Sequence, residues 1–316
     1  MTEGLVLTMD GSTHVTTTAL LALTKTPVSA GSGCGTAGGR QVLAQRTHVD
    51  SRGQARVLLR LVDDMLHEIG AAPAGIAAII AGIGPGTFTG VRIAVATARA
   101  LALALAVPVV GVSTLSALAA EAASRADQGD QVETPDLIVP VVDARRGQVF
   151  FGVYHAAGIA SAKPADLAGR RFYVRSEPFA VCDREALVAH LAALGGEAAG
   201  NPRTLIVGEV GGLAETGLEL GAGAGADLTV LPLEVRAERL LAGQGRLGEP
   251  GELEGYRLAP WIEGVLSRRS GGGQQTGRAG EPGSPEAVKP IYVRAPDADI
   301  HITKMRDPWA GAASGR

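Results

Sequence analysis

Residues 82–101 read GIGPGTFTGVRIAVATARAL, a glycine-rich loop followed by an apolar, alanine-rich helix. A short apolar run at 76–82 precedes the loop and another at 107–113 follows the helix, which predicts two buried strands joined by a helix. This order of elements favours a right-handed crossover between parallel strands. The stretch therefore predicts an α/β fold built around a parallel sheet.

The loop is the sharpest local motif in the chain. A glycine-rich turn that opens a helix presents backbone amides to an anion, and the helix dipole adds to the attraction. The residues of such a phosphate-binding loop would be Gly84, Gly86, Thr87 and Gly90. The loop has no Walker A sequence, and its spacing GxGxxxG differs from the dinucleotide fingerprint GxGxxG. Because no Asp or Glu occurs between Glu68 and Glu121 to hold a ribose or a magnesium ion, a structural or interface role and phosphate binding both stay open.

Composition limits the classes of function. The 316 residues carry a net charge of -3 and only 3% aromatic residues, which disfavours independent, tight binding of nucleic acid. The six histidines form no HxxxH or HExxH pair and no G-x-S-x-G elbow occurs, so we expect neither a metal site nor a catalytic residue. The N-terminal residues lack the features of a signal peptide, which predicts a cytoplasmic protein. The apolar run at 93–118 is interrupted by Arg99 and Pro108, which argues against a membrane span.

The pattern of elements predicts two lobes. Residues 1–112 form the predicted N-terminal lobe, in which the glycine-rich stretch 24–53 is a flexible insertion. Residues 113–262 form the second lobe. A disordered linker at 263–287, rich in Gly, Ser, Gln and Pro, leads to a docked segment and tail at 288–316.

Two aspartates end predicted strands. Asp10 lies at the bend of the first hairpin, where it either holds a magnesium ion or caps its own turn. Asp143 precedes an Ala-Arg-Arg-Gly turn, where catalysis and stabilisation of the turn are both compatible with the sequence. In that turn, Arg145 and Arg146 form a basic spot that either contacts RNA phosphates or is solvated surface.

An amphipathic helix is predicted at 54–69. Its apolar residues recur at helical spacing, and further apolar residues widen the stripe beyond what one core contact needs. The helix is therefore either simply well buried or shared between the core and a partner.

Several segments together resemble the TsaB family. They are the stretch at 82–101, VPVVGVSTL at 107–115, DARRGQVF at 143–150 and KPIYVR at 289–294. The resemblance implies a two-lobed, actin-like fold of the sugar kinase, Hsp70 and RNase H-like class. It also implies a non-catalytic accessory subunit that binds and activates the paralogue TsaD, which transfers threonylcarbamoyl to N6 of the adenosine next to the anticodon of tRNAs.

The resemblance further implies partners and site residues. TsaD is the heterodimer partner and TsaE the ATPase of the complex, while tRNA is contacted indirectly and the free chain is a candidate homodimer. TsaD carries an iron-binding HxxxH, and Thr114 and Leu118 occupy those positions here, so the chain holds no such metal. No cofactor is expected on the chain alone, and ATP or ADP belongs to the complex. Docking through the two helices implies the interface residues Leu58, Leu61, Val62, Met65, Arg92, Val95 and Arg99.

Two other functions compete with this one. An independent ATP-binding enzyme of the same fold is suggested by the run from Asp10 to Thr13 and by the glycine-rich loop. A nicotinamide-dependent oxidoreductase is suggested by the glycine spacing, and the missing ribose acid weakens it.

Overall fold

The computed structural model describes residues 4–24, 39–49, 54–127, 134–156, 173–197, 202–211, 227–236, 240, 247–248 and 283–294. Within these ranges, two β-sheets with their helices form two lobes.

The sheet of the first lobe has five strands in the order β3-β2-β1-β4-β5. The strands are β1 (Leu5–Asp10), β2 (Val15–Thr24), β3 (Gly39–Val49), β4 (Ile76–Gly82) and β5 (Val109–Val112). The pairs β1–β2 and β2–β3 are antiparallel, whereas β1–β4 and β4–β5 are parallel. The parallel crossover predicted around residues 82–101 is therefore confirmed.

Helices α1 (Gln54–Glu68) and α2 (Phe88–Leu105) cover one face of this sheet. Their inward side chains share a core with alternate strand residues such as Leu7, Met9 and Ile79. By length and composition alone α2 is apolar enough to cross a membrane, and in the structure its inner side packs in this core.

The second lobe repeats the strand pattern of the first. Its strands are β6 (Leu137–Arg145), β7 (Gln148–Phe151), β8 (Tyr154–Ala156), β9 (Tyr173–Arg175), β10 (Ala180–Asp183), β11 (Arg203–Gly208), β12 (Asp227–Pro232) and β13 (Leu247–Gly248). One edge of β6 pairs antiparallel with β7 and β8, and the other edge pairs parallel with β11, which pairs parallel with β12. The central strand β6 thus has the same neighbours, in the same directions, as β1 in the first sheet. Helix α3 (Thr114–Asp127) packs on β6 and β11, and α4 (Arg184–Glu197) packs near β10.

Two predicted flexible stretches contain regular structure, which corrects the sequence analysis. The stretch 24–53 was predicted to be an insertion, but residues 39–49 form β3 and pair along the length of β2. The linker predicted at 263–287 ends earlier, because Ser284 and Pro285 are buried and residues 285–287 form a 3-10 turn. The remaining parts, 25–38, 50–53 and 263–282, lie outside the described residues.

Residues 283–294, here called the C-terminal segment, pack against the first lobe. The carbonyl of Gly283 accepts a hydrogen bond from the amide of Val109 at 3.0 Å, and the amide of Ile291 donates to the carbonyl of Ile83 at 2.8 Å. Between these anchors, Val288 is buried in the core that α1 and α2 share with the sheet. The end of the described chain is therefore part of the first lobe's structure.

Candidate partner-binding face

The glycine-rich loop between β4 and α2 packs against the turn between β1 and β2. The amide of Thr87 donates to the carbonyl of Ser12 at 2.6 Å. A methyl group at Gly86 would overlap with the carbonyl of Ser12, and one at Gly90 would overlap with the carbonyl of Gly11. Only glycine lets the two turns approach this closely.

This packing accounts for the glycines of the loop without a ligand, and phosphate binding by the loop stays a prediction. The structure brings Gly84, Gly86, Thr87 and Gly90 together, but the amide of Thr87 is already used within the protein. Gly84 is buried with a φ of +86°, a conformation that glycine adopts readily. The glycines are therefore explained by turn geometry and close packing, the structural role that the sequence had left open.

Asp10 is fully buried, and both of its carboxylate oxygens are occupied. Oδ1 accepts the amide of Ser12 at 2.6 Å, and Oδ2 accepts the hydroxyl of Thr114 at 2.9 Å. Burial raises the pKa of the Asp10 carboxyl above its ordinary value of 3.8, although these hydrogen bonds oppose the rise. Of the two roles open to Asp10, capping of its own turn is the one observed, and the bond to Thr114 also ties β1 to the start of α3.

Five residues predicted to face a partner are buried inside the chain, which corrects that part of the interface. They are Leu58, Leu61, Val62, Met65 and Val95. All but Leu61 belong to the core between the helices and the first sheet. Packing inside the chain thus explains the inner part of the apolar stripe of α1, whereas Leu59 in the same helix is 50% exposed.

The opposite side of α2 is largely exposed and carries small, apolar and basic residues. We define the outer face of α2 as Arg92, Ala96, Arg99, Ala100 and Leu103. Arg99 is half-buried, the other four are exposed, and the side chain of Leu103 is 61% accessible. Spacings of three and four residues place all five along one stripe of the helix. Small side chains beside an exposed leucine are typical of a surface that another helix can approach closely.

Three side chains stack at the N-terminal end of this face. The guanidinium carbon of Arg92 lies 3.6 Å from the ring centre of Phe88, and Nε of Arg92 donates to the hydroxyl of Tyr292 at 2.8 Å. The two aromatic rings are 5.6 Å apart, and both are exposed. Arg92 was predicted as an interface residue, whereas Phe88 and Tyr292 were not. The sequence did contain a signal for these two residues. Aromatic residues are scarce in this chain, and Tyr292 lies in the motif at 289–294.

A cleft of about 500 Å³ lies between the lobes. The turn after β1 supplies Thr13 and His14 to its wall, and the end of β11 supplies Glu209, whose Oε1 lies 3.3 Å from Nδ1 of His14. Arg236 on the same wall is paired with Glu234 at 3.0 Å. None of the glycines of the predicted phosphate loop lines this cleft.

Comparisons with known proteins agree with the motifs. A family model described as TsaD, tRNA N6-adenosine threonylcarbamoyltransferase, matches residues 41–173. The chain is 42% identical over 93 residues to the tRNA threonylcarbamoyladenosine biosynthesis protein TsaB of Bacillus subtilis, covering 29% of this chain and 37% of that protein. It is 35% identical over 103 residues to TsaB of Escherichia coli, covering 33% of this chain and 42% of that protein. The aligned stretch thus spans less than half of either relative.

The solved structures extend the similarity to the rest of the described fold. A crystal structure from Pseudomonas aeruginosa, described as an uncharacterized protein with similarity to peptidase YEAZ, matches with a TM-score of 0.53 at 25% identity. The match covers 92% of this chain and 100% of that chain, and YeaZ from the same organism matches equally well. The fold is therefore the actin-like, RNase H-like α/β fold that the sequence predicted. These relatives and the four shared motifs make the chain similar to TsaB proteins, over less than half of the length of the TsaB relatives compared.

Proposed function

We propose that the protein is a non-catalytic accessory subunit that binds and activates TsaD. In this role it takes part in the transfer of threonylcarbamoyl to N6 of the adenosine next to the anticodon of tRNAs. The observation that carries the proposal is the outer face of α2, a largely exposed stripe of two alanines, a leucine and two arginines in a chain that is similar to TsaB proteins.

The chemistry of the described residues supports an accessory role. Both oxygens of Asp10 accept hydrogen bonds within the protein, so turn capping accounts for this buried carboxylate without a metal ion. Thr114 and Leu118 stand where the resemblance places the iron-binding histidines of TsaD. Among the residues that the structure describes, no group of three or more His, Cys, Asp or Glu side chains is arranged to hold a metal ion.

The outer face of α2 supports binding to a helical partner. Leu103 exposes 61% of its side chain, and Leu59 on α1 exposes 50%, so each helix offers apolar area to a partner. Arg92 and Arg99 lie on the same stripe of α2, which itself carries no acidic residue, so a matching helix of TsaD would place carboxylates opposite them. Without TsaD, the same face is available to a second copy of the chain.

The wider assembly follows from this role. TsaE joins as the ATPase, ATP or ADP is bound by the complex and not by this chain alone, and the complex works in the cytoplasm.

The test is co-purification of the full chain with its cognate TsaD, followed by calorimetric measurement of affinity. Leu103→Glu places a charge at the outer face without touching the core, and we expect it to weaken binding at least tenfold, as loss of an interface anchor does (about 1.4 kcal/mol or more). Val49→Glu is the matched control, because Val49 is an exposed aliphatic residue on β3. Equal affinity for wild type and Leu103→Glu would contradict the proposed face, and absence of binding by wild type would contradict the function.

One observation favours an independent ATP-binding enzyme as the second candidate. The cleft between the lobes is large enough for a small ligand, and Thr13 on its wall follows the turn that Asp10 caps. Calorimetric titration of the isolated chain with ATP and magnesium decides between the two. Saturable binding that a cleft variant such as Thr13→Tyr abolishes would favour the enzyme.

A further inference from the structure

The turn between β6 and β7 carries two adjacent arginines in an unusual backbone conformation. Arg145 pairs with Gln148, which leaves Arg146 and Gly147 as a two-residue loop. Arg145, Arg146 and Gly147 have φ values of 64°, 56° and 79°. Two-residue hairpin loops require positive φ, and Asn or Gly usually supplies it. Here arginines stand at two of the three positions, which is uncommon for side chains of this type.

Two further arginines surround this turn, which we call the arginine hairpin (residues 143–148). Arg184 lies 3.6 Å from one oxygen of Asp143, and Arg145 lies 3.6 Å from the other. Arg294 of the C-terminal segment donates to the carbonyl of Ala144 at 3.1 Å and also to the side chain of Gln148. These contacts hold the turn in place from both the second lobe and the C-terminal segment.

Acidic groups near the hairpin are outnumbered. Asp143 is shared between two arginines, and Asp183 is paired with Gln148 on the neighbouring strand. Glu209 accepts the amide of Asp143 and contacts an imidazole. Four arginines and three carboxylates therefore lie at or next to the turn, in a chain whose net charge is -3. Arg145 and Arg146 are both exposed.

The hairpin adjoins the aromatic stack on α2. Tyr292 contacts Arg92, and Arg294, two residues later, contacts the hairpin. Two residues of extended chain span at most about 7 Å between their Cα atoms, so one short part of the C-terminal segment contacts both the stack and the hairpin. The hairpin supplies guanidinium groups and the stack supplies two exposed aromatic rings, the side chains that bind phosphates and unstacked bases in RNA.

We propose that the arginine hairpin binds phosphate groups of tRNA directly, next to the docking site of TsaD. Arg145 and Arg146 contact the phosphates, whereas Arg184 and Arg294 position the turn. An acidic protein surface fits less well, because the exposed aromatic rings beside the arginines also offer stacking to bases. The inference rests on the proposed function, which makes tRNA the substrate of the complex.

The test compares two variants with equal changes in charge. Arg145→Gln with Arg146→Gln removes both exposed arginines of the hairpin. Arg46→Gln with Arg203→Gln is the control, because each of these arginines is partly exposed, paired with a carboxylate and far from the turn in the fold. Fluorescence anisotropy with an unmodified tRNA transcript gives the Kd over a series of salt concentrations, for the chain alone and for its complex with TsaD.

We expect the hairpin variant to bind tRNA on the order of tenfold more weakly or worse at low salt, and the control variant to bind as wild type does. Loss of two phosphate contacts should also lower the slope of log K against log salt by about 1.4 to 1.8. Unchanged affinity and slope would overturn the proposal, as would a wild type that does not bind tRNA in either form. Loss of TsaD binding with tRNA affinity of the free chain intact would assign the arginines to the protein interface instead. If wild type fails to bind TsaD, the proposed function fails, and the measurement on the free chain still decides the role of the arginines.

Discussion

Asp10 ends β1 with its carboxylate fully buried between the amide of Ser12 and the hydroxyl of Thr114. From the sequence, an Asp at a hairpin bend was compatible with metal binding and with turn capping. Which role Asp10 has depends on the residues that pack against the bend in the folded chain. One of them, Thr114, is more than a hundred residues away in the sequence. Local sequence contains no trace of that contact.

Replacing Asp10 with Asn should change how stability depends on pH. Because the folded pKa lies above the unfolded value of 3.8, the carboxyl stabilises the fold below that value, and this contribution is lost as pH rises through the folded pKa. Asn is neutral throughout and can keep bonds to both partners. We expect urea unfolding at about pH 4.5 and pH 8 to show the variant gaining stability relative to wild type at the higher pH.

The Ala variant is the control for this prediction. Asp10→Ala removes the same titrating carboxyl but also leaves the amide of Ser12 without its acceptor, so we expect it to be less stable than Asp10→Asn by about 1–3 kcal/mol at both pH values. If the Asn variant and the wild type differ in free energy of unfolding by the same amount at both pH values, burial does not raise the pKa of Asp10 as described.

At the scale of elements, helix positions follow from sequence better than helix faces do. The predicted range 54–69 and the helix predicted directly after the glycine-rich loop agree closely with α1 and α2, because apolar periodicity and the flanking glycines are local signals. Assigning a face needs the rest of the fold. The spacing of Leu58 and Met65 along the helix fits an interface with a partner as well as it fits the core of the chain. In the structure both residues pack in the core against the sheet. Strand β3 was missed because polar residues alternate along an edge strand and glycines precede it.

The glycine-rich loop and the first hairpin turn pack so closely that an added methyl group between them should destabilise the fold. Gly86→Ala and Gly90→Ala would each force a side chain into a backbone carbonyl, so we expect losses of about 3 kcal/mol or failure to fold. Gly211→Ala is the matched control, since no atom lies within 4 Å of its added carbon, and it should stay within about 0.5 kcal/mol of wild type. Urea unfolding measures all three, and tolerance of alanine at Gly86 and Gly90 would favour a ligand-binding role for the loop.

At the scale of the molecule, contacts distant in sequence join the two lobes. Asp10 reaches the start of α3, His14 reaches Glu209, and Arg294 reaches the turn after β6. The sequence predicted two lobes from the repeated alternation of strands and helices, a pattern that each lobe displays by itself. The joining contacts have no such pattern, because each is a single pair of residues.

The C-terminal segment should stabilise the first lobe through Val288 in particular. Truncation by Val288→Ala leaves a cavity in the core beneath α1 and α2, with an expected cost of about 1–3 kcal/mol in the free energy of unfolding. The neighbouring Lys289 is exposed, so Lys289→Ala is the control and should change little.

Hydrogen exchange tests whether this effect stays within one lobe. The amide of Val109 donates to Gly283 of the segment, whereas the amides of β11 lie in the second sheet. In the Val288→Ala variant we expect the Val109 amide to exchange faster, because loosening the segment opens its hydrogen bond, while Ile206 in β11 keeps its protection. Equal acceleration at both amides would mean that the lobes unfold as one cooperative unit, and the contacts between them would then be strong enough to couple the two cores.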